Sequence, residues 1–274
     1  MYMDGMNTMD LLTFFFIAFL LYAVLAPQLQ LWKNRRGRLG LIEEMERSWK
    51  SKVLTMVHKK EAISLFGLPI YQFIDIEDAE ELLRGIRSAG SRPIDVILHT
   101  PGGQLLPSIQ IARALKKHNG KTRAIVPHYA MSGGTIIALA CDEILMDPDA
   151  VIGPIDPQVG DMVRGAYPAH SWIYATEMKG KNADDSSFVM RHISEKALNL
   201  MHDLTRELLE DRIEEEAFQI IEAKLLGGEH IHSLPISASE AERIGLPVTA
   251  KIPPEVHRYM SSFRSVKSNV EYLR

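Results

Sequence analysis

Two short motifs, TPGGQ at 100–104 and MSGGT at 131–135, combine paired glycines with polar side chains. Glycine permits positive φ angles and close backbone approach, and it leaves N–H groups free at the start of a following helix. Such N–H groups can stabilise the oxyanion that develops during acyl transfer. Only the second motif holds a nucleophile, Ser132. Together the motifs could therefore supply one hydroxyl and two oxyanion donors.

Ser132 also has less specific explanations. A serine that precedes a helix is most often an N-cap, whose hydroxyl accepts a hydrogen bond from the first helical turn. The motif also departs from the G-x-S-x-G elbow of α/β-hydrolases, because Ala130 stands where the first glycine would be.

The elements that must position these motifs alternate between strands and helices. Apolar runs typical of strands occur at 62–65, Ile94–His99, Thr122–Val126 and Glu143–Met146, and helical spacing occurs at 76–87, 106–117 and 135–140. This alternation predicts an α/β fold with a mostly parallel sheet covered on both faces. Loops at the carboxyl ends of parallel strands form ligand crevices, so both motifs are expected at one edge of the sheet. The Gly- and Pro-rich stretch at 151–168 predicts loops, and 194–226 predicts one long helix.

The composition excludes several classes of protein. The chain has 274 residues, 46% of them hydrophobic and 24% charged, which is typical of a globular domain and not of a disordered or multi-span membrane protein. Its single cysteine, Cys141, excludes an intramolecular disulfide and a cysteine-based zinc site, and it is expected to be a small buried side chain. A net charge of −4 provides no basic field, so no nucleic-acid partner is predicted.

The N-terminal segment differs from the rest of the chain. Residues 1–32 contain no Lys or Arg, and in 11–26 (LLTFFFIAFLLYAVLA) Thr13 is the one clearly polar side chain. Because about 20 apolar residues span a bilayer as a helix, this segment predicts a single transmembrane anchor, with a buried core helix as the alternative. The basic cluster of Lys33, Arg35, Arg36 and Arg38 follows at once and places the rest of the chain in the cytoplasm, so the predicted location is the cell membrane.

The chain is therefore expected to have four parts. These are an anchor at 1–32, a juxtamembrane amphipathic helix at 33–59, the α/β domain at 60–253 and a polar tail at 254–274. The second part carries an apolar stripe with spacings of 3, 4, 4 and 3, formed by Ile42, Met45, Trp49, Val53 and Met56. Such a stripe is typical of a helix that packs on its own domain or associates with another copy.

The motifs and their order resemble a known family. IDVILHTPGG followed by AMSGGTIIALACDEILMDPDAVIGPI resembles the Clp/crotonase-fold serine peptidases, especially the membrane-anchored signal peptide peptidase A type and the serine dehydrogenase proteinase (SDH-type) group, and GGEHIHSLPISASEAERIGLPV fits the same group. The resemblance covers about 60–250. It implies a superhelical ββα domain, peptide-bond hydrolysis without metal or cofactor, and a homo-oligomer. It also implies that Ser132 is the nucleophile and that the N–H groups of Gly103 and Gly133 form the oxyanion hole.

The general base is less clear from this resemblance. Clp proteases place a histidine downstream of the nucleophile, but the corresponding segment here, VIGPIDPQVG, has none. The signal peptide peptidase A type uses a lysine in a K-S-A-like segment, which aligns best with Lys181; Lys179 and Lys196 are the alternatives, followed by His128. A lysine acts as a base only when burial lowers its pKa from about 10.4 toward 7 or 8.

Other candidates and functions are weaker. His230 and His232 lack a pattern of acidic partners, so a zinc site is not expected there, and His99 is expected to be a packed residue at a strand end. The competing functions are an acyl-CoA-binding crotonase relative and an inactive membrane scaffold. A serine in the MSGG position favours a peptidase, because crotonases need no nucleophile there. The chain is thus predicted to be a membrane-anchored serine endopeptidase with a Ser132–Lys181 dyad, acting through an acyl-enzyme on membrane-derived or misfolded peptides.

Overall fold

The computed structural model describes residues 8–59, 72–161, 165–228 and 234–263. The strands are β1 (Lys52–Val57), β2 (Ile94–His99), β3 (Thr122–Val126), β4 (Tyr129–Ala130), β5 (Glu143–Met146), β6 (Val151–Ile152), β7 (Gln158–Asp161), β8 (Gly165–Pro168), β9 (Ile236–Ser237) and β10 (Val248–Thr249). The helices are α1 (Thr8–Trp49), α2 (Ile76–Ala89), α3 (Leu105–Lys116), α4 (Gly133–Leu139), α5 (Ala169–Lys179), α6 (Asp185–Leu209), α7 (Glu215–Leu226), α8 (Ala238–Arg243) and α9 (Pro254–Ser261), with a 3-10 turn at Gly180–Asn182.

The centre of the fold is a parallel sheet in the order β1-β2-β3-β5-β10. Every residue of β2 is buried, because helices cover both faces of the sheet. Residues of α2, α3, α4, α6 and α7 share one apolar cluster with one face of the sheet. Residues of α1 and α9 share a second cluster with the other face. The predicted α/β fold with a mostly parallel sheet is confirmed.

The two glycine motifs meet at the carboxyl edge of this sheet. TPGGQ lies between β2 and α3, and MSGGT lies between β4 and α4. Two isolated parallel bridges tie the region together, one between Thr100 and Ala130 and one between Ile74 and Gly103. The sequence order strand–motif–helix therefore produces the expected proximity of the motifs.

The N-terminal region differs from the prediction. α1 runs unbroken from Thr8 to Trp49, so the expected anchor and juxtamembrane helix are parts of one helix. Met45 is buried against the sheet, which means that the apolar stripe packs on its own domain. The stripe does not continue as a helix, because Lys50 adopts a φ of 56° and the chain then enters β1, to which Val53 and Met56 belong.

Within the residues that the structure describes, no helix combines the length and the apolar character needed to cross a membrane. The predicted transmembrane span is therefore not found.

The remaining differences lie in the second half of the chain. The loop predicted at 151–168 contains the short strand β6 and the antiparallel hairpin of β7 and β8. The predicted long helix is two helices, α6 and α7. The first residues of the expected polar tail form α9, because Val256, Tyr259 and Met260 are buried against the sheet. The strand predicted at 62–65 lies outside the described residues, as do His230 and His232.

Candidate active site

Ser132 occupies a sharp backbone turn at the start of α4. Its φ of 48° and ψ of −113° lie in a region that residues with a side chain rarely adopt. Its hydroxyl makes no capping hydrogen bond to the helix, so the N-cap explanation of this serine does not apply. The side chain is partly exposed, whereas α4 behind it is buried throughout. The hydroxyl is thus held at the surface of a rigid element.

The first glycine motif lies directly against this turn. Gly102 has a φ of 97°, and a Cβ placed on it would lie 2.7 Å from the carbonyl oxygen of Met131 and 2.8 Å from Cβ of Ser132. The same Cβ would lie 3.2 Å from the backbone nitrogen of Gly133. A side chain at position 102 would therefore push the two motifs apart, and glycine is required there for both its conformation and its size.

Two backbone N–H groups beside Ser132 have no hydrogen-bond partner among the described residues. On either side of Gly103, the Ile74 N–H donates to the Gly102 carbonyl and the Gln104 N–H donates to the Ile74 carbonyl, both at 2.8 Å, which leaves the N–H of Gly103 itself unused. The N–H of Gly133 is the first of α4 and is also unused. Unpaired donors at this position are what a developing oxyanion requires.

Buried side chains hold the Ser132 turn in place. The hydroxyl of Thr135 lies 2.8 Å from the Ala130 carbonyl oxygen and 2.9 Å from that of Gly153, and it accepts a hydrogen bond from the Gly153 N–H at 3.1 Å. Ser108 donates to the Gln104 carbonyl at 2.7 Å and packs beneath Gly133. The strained conformation is therefore supported from both motifs.

The three candidate lysines lie on the segment that follows the hairpin. Lys179 ends α5, Lys181 lies in the 3-10 turn after it, and Lys196 lies in α6; all three side chains are exposed. The end of α5 is fixed to its surroundings, since the Thr176 hydroxyl lies 2.8 Å from the Trp172 carbonyl oxygen and 3.3 Å from that of Ser187. The assignment of Lys181 as the base stays a prediction.

The histidines near the motifs have well-defined environments. His99 is buried, with its ring 5.3 Å from that of His128 and 4.3 Å from that of Tyr129. Burial, together with the positive charges of His128, Lys59 and His58, lowers the pKa of His99 to about 4. Burial and the charge of Lys59 also lower the pKa of His128. His99 is thus the packed residue at a strand end that the sequence predicts, and it is neutral at pH 7.

The family follows from a comparison with known proteins. A family model described as the ClpP-like SDH-type serine proteinase matches residues 1–273. The chain belongs to this family. It is also 44% identical over 257 residues to the uncharacterised protein MJ0137 of Methanocaldococcus jannaschii, covering 92% of this chain and 88% of that protein. The uncharacterised protein MJ1495 of the same organism is 42% identical over 274 residues, covering 98% of this chain and 91% of the relative.

Two solved structures resemble the SDH-type proteinase at low identity. One is a mutant of the membrane-bound stomatin-specific protease 1510-N, with 18% identity, a TM-score of 0.48 and coverage of 76% of this chain and 82% of the other. The other is ClpP1 from Listeria monocytogenes, with 14% identity, a TM-score of 0.45 and coverage of 74% and 94%. Because both TM-scores are below 0.5, we infer nothing about the site from them.

The SDH-type proteinase is a serine peptidase with a Clp-like α/β fold, as the motifs predicted. The structure brings Gly103, Ser132 and Gly133 together at one edge of the sheet. It also reveals a group that the motifs did not indicate, in which His58 contacts both Asp78 and Thr100. No local sequence pattern marks His58, because its partners lie 20 and 42 residues further along the chain.

Proposed function

We propose that this SDH-type proteinase hydrolyses peptide bonds with Ser132 as nucleophile and with the N–H groups of Gly103 and Gly133 as the oxyanion hole. The observation that carries the proposal is the close contact of Gly102 with the Ser132 turn. It places two N–H groups that lack partners among the described residues beside one strained serine. This arrangement suits a tetrahedral intermediate, whose negative oxygen would accept both hydrogen bonds.

The reaction follows from these positions. Oγ of Ser132 attacks the substrate carbonyl carbon and gives its proton to a base, and the oxyanion forms against the two N–H groups. The C–N bond then breaks as the amine takes that proton, which leaves an acyl-enzyme on Ser132. Water gives a proton to the same base and attacks the ester carbonyl. The bond between the carbonyl carbon and Oγ of Ser132 then breaks, Oγ takes the proton back from the base, and the acid is released.

Lys181 is the base that we propose, with Lys179 and Lys196 as alternatives. A lysine must be removed from water to accept a proton near neutral pH, and the Lys181 side chain is exposed in this single chain. We therefore propose that a bound peptide covers this amine. In support, α5, which leads to Lys181, is tied to the hairpin near its start, since the Trp172 indole donates to the Val159 carbonyl at 2.7 Å.

The nucleophile is tested with Ser132→Ala. We expect the turnover of a peptide or casein substrate to fall by about 10³-fold or more, and labelling by a fluorophosphonate probe to disappear, because the proposed acyl-enzyme forms on this hydroxyl. Ser171→Ala, which removes an exposed hydroxyl on α5, is the matched control and should leave both unchanged. Full activity in Ser132→Ala would overturn the proposal.

The base is tested with three separate substitutions, Lys179→Ala, Lys181→Ala and Lys196→Ala. Loss of a general base typically lowers kcat by about 10²–10⁴-fold, and we expect this for Lys181 alone. An unchanged kcat in Lys181→Ala would reject the assignment of this residue while leaving that of Ser132 intact.

We also propose that the N-terminal segment attaches the peptidase to a lipid bilayer. The side chains of Phe14, Phe15, Phe16 and Phe19 are each more than 60% exposed, and such a contiguous apolar surface is unfavourable in water. The basic cluster at 33–38 favours the cytoplasmic side for the domain. The substrates that we propose, membrane-derived or misfolded peptides, would then be within its reach.

Attachment is tested by fractionation of cells that express the full chain or a variant lacking residues 1–32. The full chain should pellet with membranes, whereas the truncated chain should be soluble and still label at Ser132. Recovery of the full chain in the soluble fraction would contradict attachment.

The orientation of the domain is tested with Ser171→Cys. Because Cys141 is buried, a thiol reagent that does not cross the membrane would report on the added cysteine. Labelling in intact cells would overturn the cytoplasmic placement.

A further inference from the structure

His58 connects helix α2 to the motif that carries Gly102 and Gly103. It follows β1, and its side chain is 7% exposed. Nε2 of its ring lies 3.1 Å from Oδ2 of Asp78, and Nδ1 lies 2.7 Å from the hydroxyl oxygen of Thr100. Asp78 is in turn fixed by the capping box at the start of α2, where it accepts a hydrogen bond from the Asp75 N–H.

The chemistry of these groups sets the direction of each hydrogen bond. Burial raises the pKa of Asp78, but the hydrogen bonds from His58 and from the Asp75 N–H outweigh it, so the net pKa is lowered. An ionised carboxylate can only accept, so Nε2 of His58 must carry a proton. A neutral ring with its proton on Nε2 offers an acceptor at Nδ1, to which the Thr100 hydroxyl donates. The lone pairs of that hydroxyl remain free to accept the Gly102 N–H, which lies at 3.1 Å.

Thr100 holds both motifs at once. Its backbone N–H donates to the Tyr129 carbonyl at 3.1 Å, and its carbonyl accepts from the Met131 N–H at 3.0 Å. Its methyl group fills the space beside Gly134, where a Cβ would lie 2.6 Å from Thr100 Cγ2. Thr100 is fully buried, so water cannot replace the hydroxyl contacts without rearrangement.

We infer that His58, oriented by Asp78, is a positioning residue that fixes the Thr100 hydroxyl and thereby aims the N–H of Gly103 at the oxyanion. The chain of contacts runs from the Asp78 carboxylate through the His58 ring and the Thr100 hydroxyl to the Gly102 N–H, and Gly103 is the next residue. This inference rests on the proposed function, in which the Gly103 N–H is an oxyanion donor. His58 itself touches no reacting atom.

A set of His58 variants tests the inference through kcat and KM. His58→Ala should lower kcat by about 10- to 100-fold with little change in KM, because a misaimed donor weakens the transition state more than the bound substrate. His58→Asn presents an amide oxygen near the position of Nδ1 and should restore most of kcat. His58→Gln reaches Asp78 but offers Thr100 no acceptor, so it should resemble His58→Ala. Equal kcat in all three variants and the wild type would overturn the inference.

Thr100 provides a matched pair for the same contact. Thr100→Ser keeps the hydroxyl, whereas Thr100→Val keeps the shape and loses it. We expect Thr100→Val to reproduce the kcat defect of His58→Ala and to add little when combined with it, since both break the same chain of hydrogen bonds from His58 to the Gly102 N–H. Independent, fully additive defects would show that the two residues act separately and would contradict the inference.

Hydrogen exchange separates this inference from the proposed function. In His58→Ala and Thr100→Val, the hydrogen-bonded amides of Gly102 and Gln104 should exchange faster than in the wild type, while those of β3 should not change. This readout does not require turnover. If the wild type showed no activity dependent on Ser132, the proposed function would fail and the exchange result would still decide the positioning. Unchanged exchange at Gly102 and Gln104 would overturn it.

Discussion

Glycine at position 102 is required by the site for two separable reasons. Its φ of 97° is unfavourable for a side chain, and a Cβ would also collide with the Ser132 turn. Gly90 has a φ of 63°, but no atom lies within 4 Å of a Cβ placed on it. A substitution at Gly90 therefore measures the cost of the unfavourable φ alone. We expect Gly90→Ala to lower the free energy of unfolding by about 1–2 kcal/mol and to keep full activity. Gly102→Ala should also lower kcat/KM by 100-fold or more, by displacing the oxyanion donors.

Urea denaturation and peptide-hydrolysis assays of the two variants check this prediction. If Gly102→Ala lost stability like Gly90→Ala and kept wild-type kcat/KM, close contact of the two motifs would not matter for catalysis.

The buried ring of His99 makes stability depend on pH. Its folded pKa of about 4 lies below the ordinary value of 6.5. Between these values the unfolded chain binds a proton that the folded chain does not, so stability falls as pH falls from 6.5 to 4. Because His99 binds one proton, it can change the free energy of unfolding by at most about 1.4 kcal/mol per pH unit. His99→Phe keeps an aromatic ring and cannot titrate.

We expect the free energy of unfolding of His99→Phe, measured in urea at pH 7, 5.5 and 4.5, to decline less steeply than that of the wild type. Parallel curves would show that His99 does not carry this dependence.

At the residue scale, contiguous motifs were predictable and tertiary contacts were not. Ser132, Gly133 and Gly103 lie in short patterns that carry their own chemical meaning, and the structure brings them together. His58 and Asp78 each look ordinary in sequence, because their meaning arises only where the end of β1 meets the start of α2. Which lysine acts as the proposed base does not follow from the sequence, since the burial that such a base needs depends on the folded chain and its bound peptide.

An ion pair inside the sheet joins β2 to β3. Asp95 on β2 is fully buried and accepts two hydrogen bonds from Arg123 on β3, at 2.6 and 2.9 Å. Ser51, just before β1, donates to the same carboxylate. Arg123→Met would leave this carboxylate buried with one hydroxyl partner, and we expect a loss of about 3–5 kcal/mol.

The matched control is Lys121→Met, which removes an exposed pair with Glu143 near the same strand and should cost at most about 1 kcal/mol. Combining Asp95→Asn with Arg123→Met should recover part of the loss, since no charge is then left unpaired. Urea denaturation of the four proteins measures this. Equal losses for Arg123→Met and Lys121→Met would contradict the prediction.

Elements with a strong apolar pattern were predicted well. β2, β3 and β5 match the apolar runs of the sequence because strands in a sheet covered on both faces are mostly apolar. The separation of α6 from α7 has a tertiary cause: the Arg212 guanidinium between them donates to the carbonyls of Cys141 and Leu139. α9 was missed because only three of its eight residues face the sheet, and a single short stripe resembles a polar tail.

At the scale of the whole molecule, the structure differs most from the sequence prediction in how the N-terminal segment joins the domain. Composition divides the chain at Lys33, but α1 continues through that point and packs Met45 against the sheet. The apolar segment and the peptidase domain are therefore connected by a continuous helix rather than by a flexible linker. Motion of the two parts must be coupled through α1, so attachment to a bilayer would also fix the orientation of the active-site edge.

The surface of the domain leads to a prediction about assembly. Val189, Ile193 and Leu200 lie on one face of α6, spaced by 4 and 7 residues, and each is more than 40% exposed. Tyr174 and Met178 on α5 are also exposed, and α5 packs against α6. Exposed apolar side chains on two packed helices favour an interaction site, and we predict that a second copy of the chain covers them in a homo-oligomer.

Light scattering after size-exclusion chromatography tests this assembly. The protein used lacks residues 1–32, so that the apolar segment cannot cause association. The parent protein should be oligomeric. Ile193→Glu should shift it toward the monomer, because a carboxylate buried in an apolar interface costs far more than it gains. His192→Glu adds the same charge at the neighbouring, outward position and should leave the mass unchanged. A monomeric parent protein would exclude this assembly. Equal dissociation in the two variants would show that the assembly surface does not depend on Ile193.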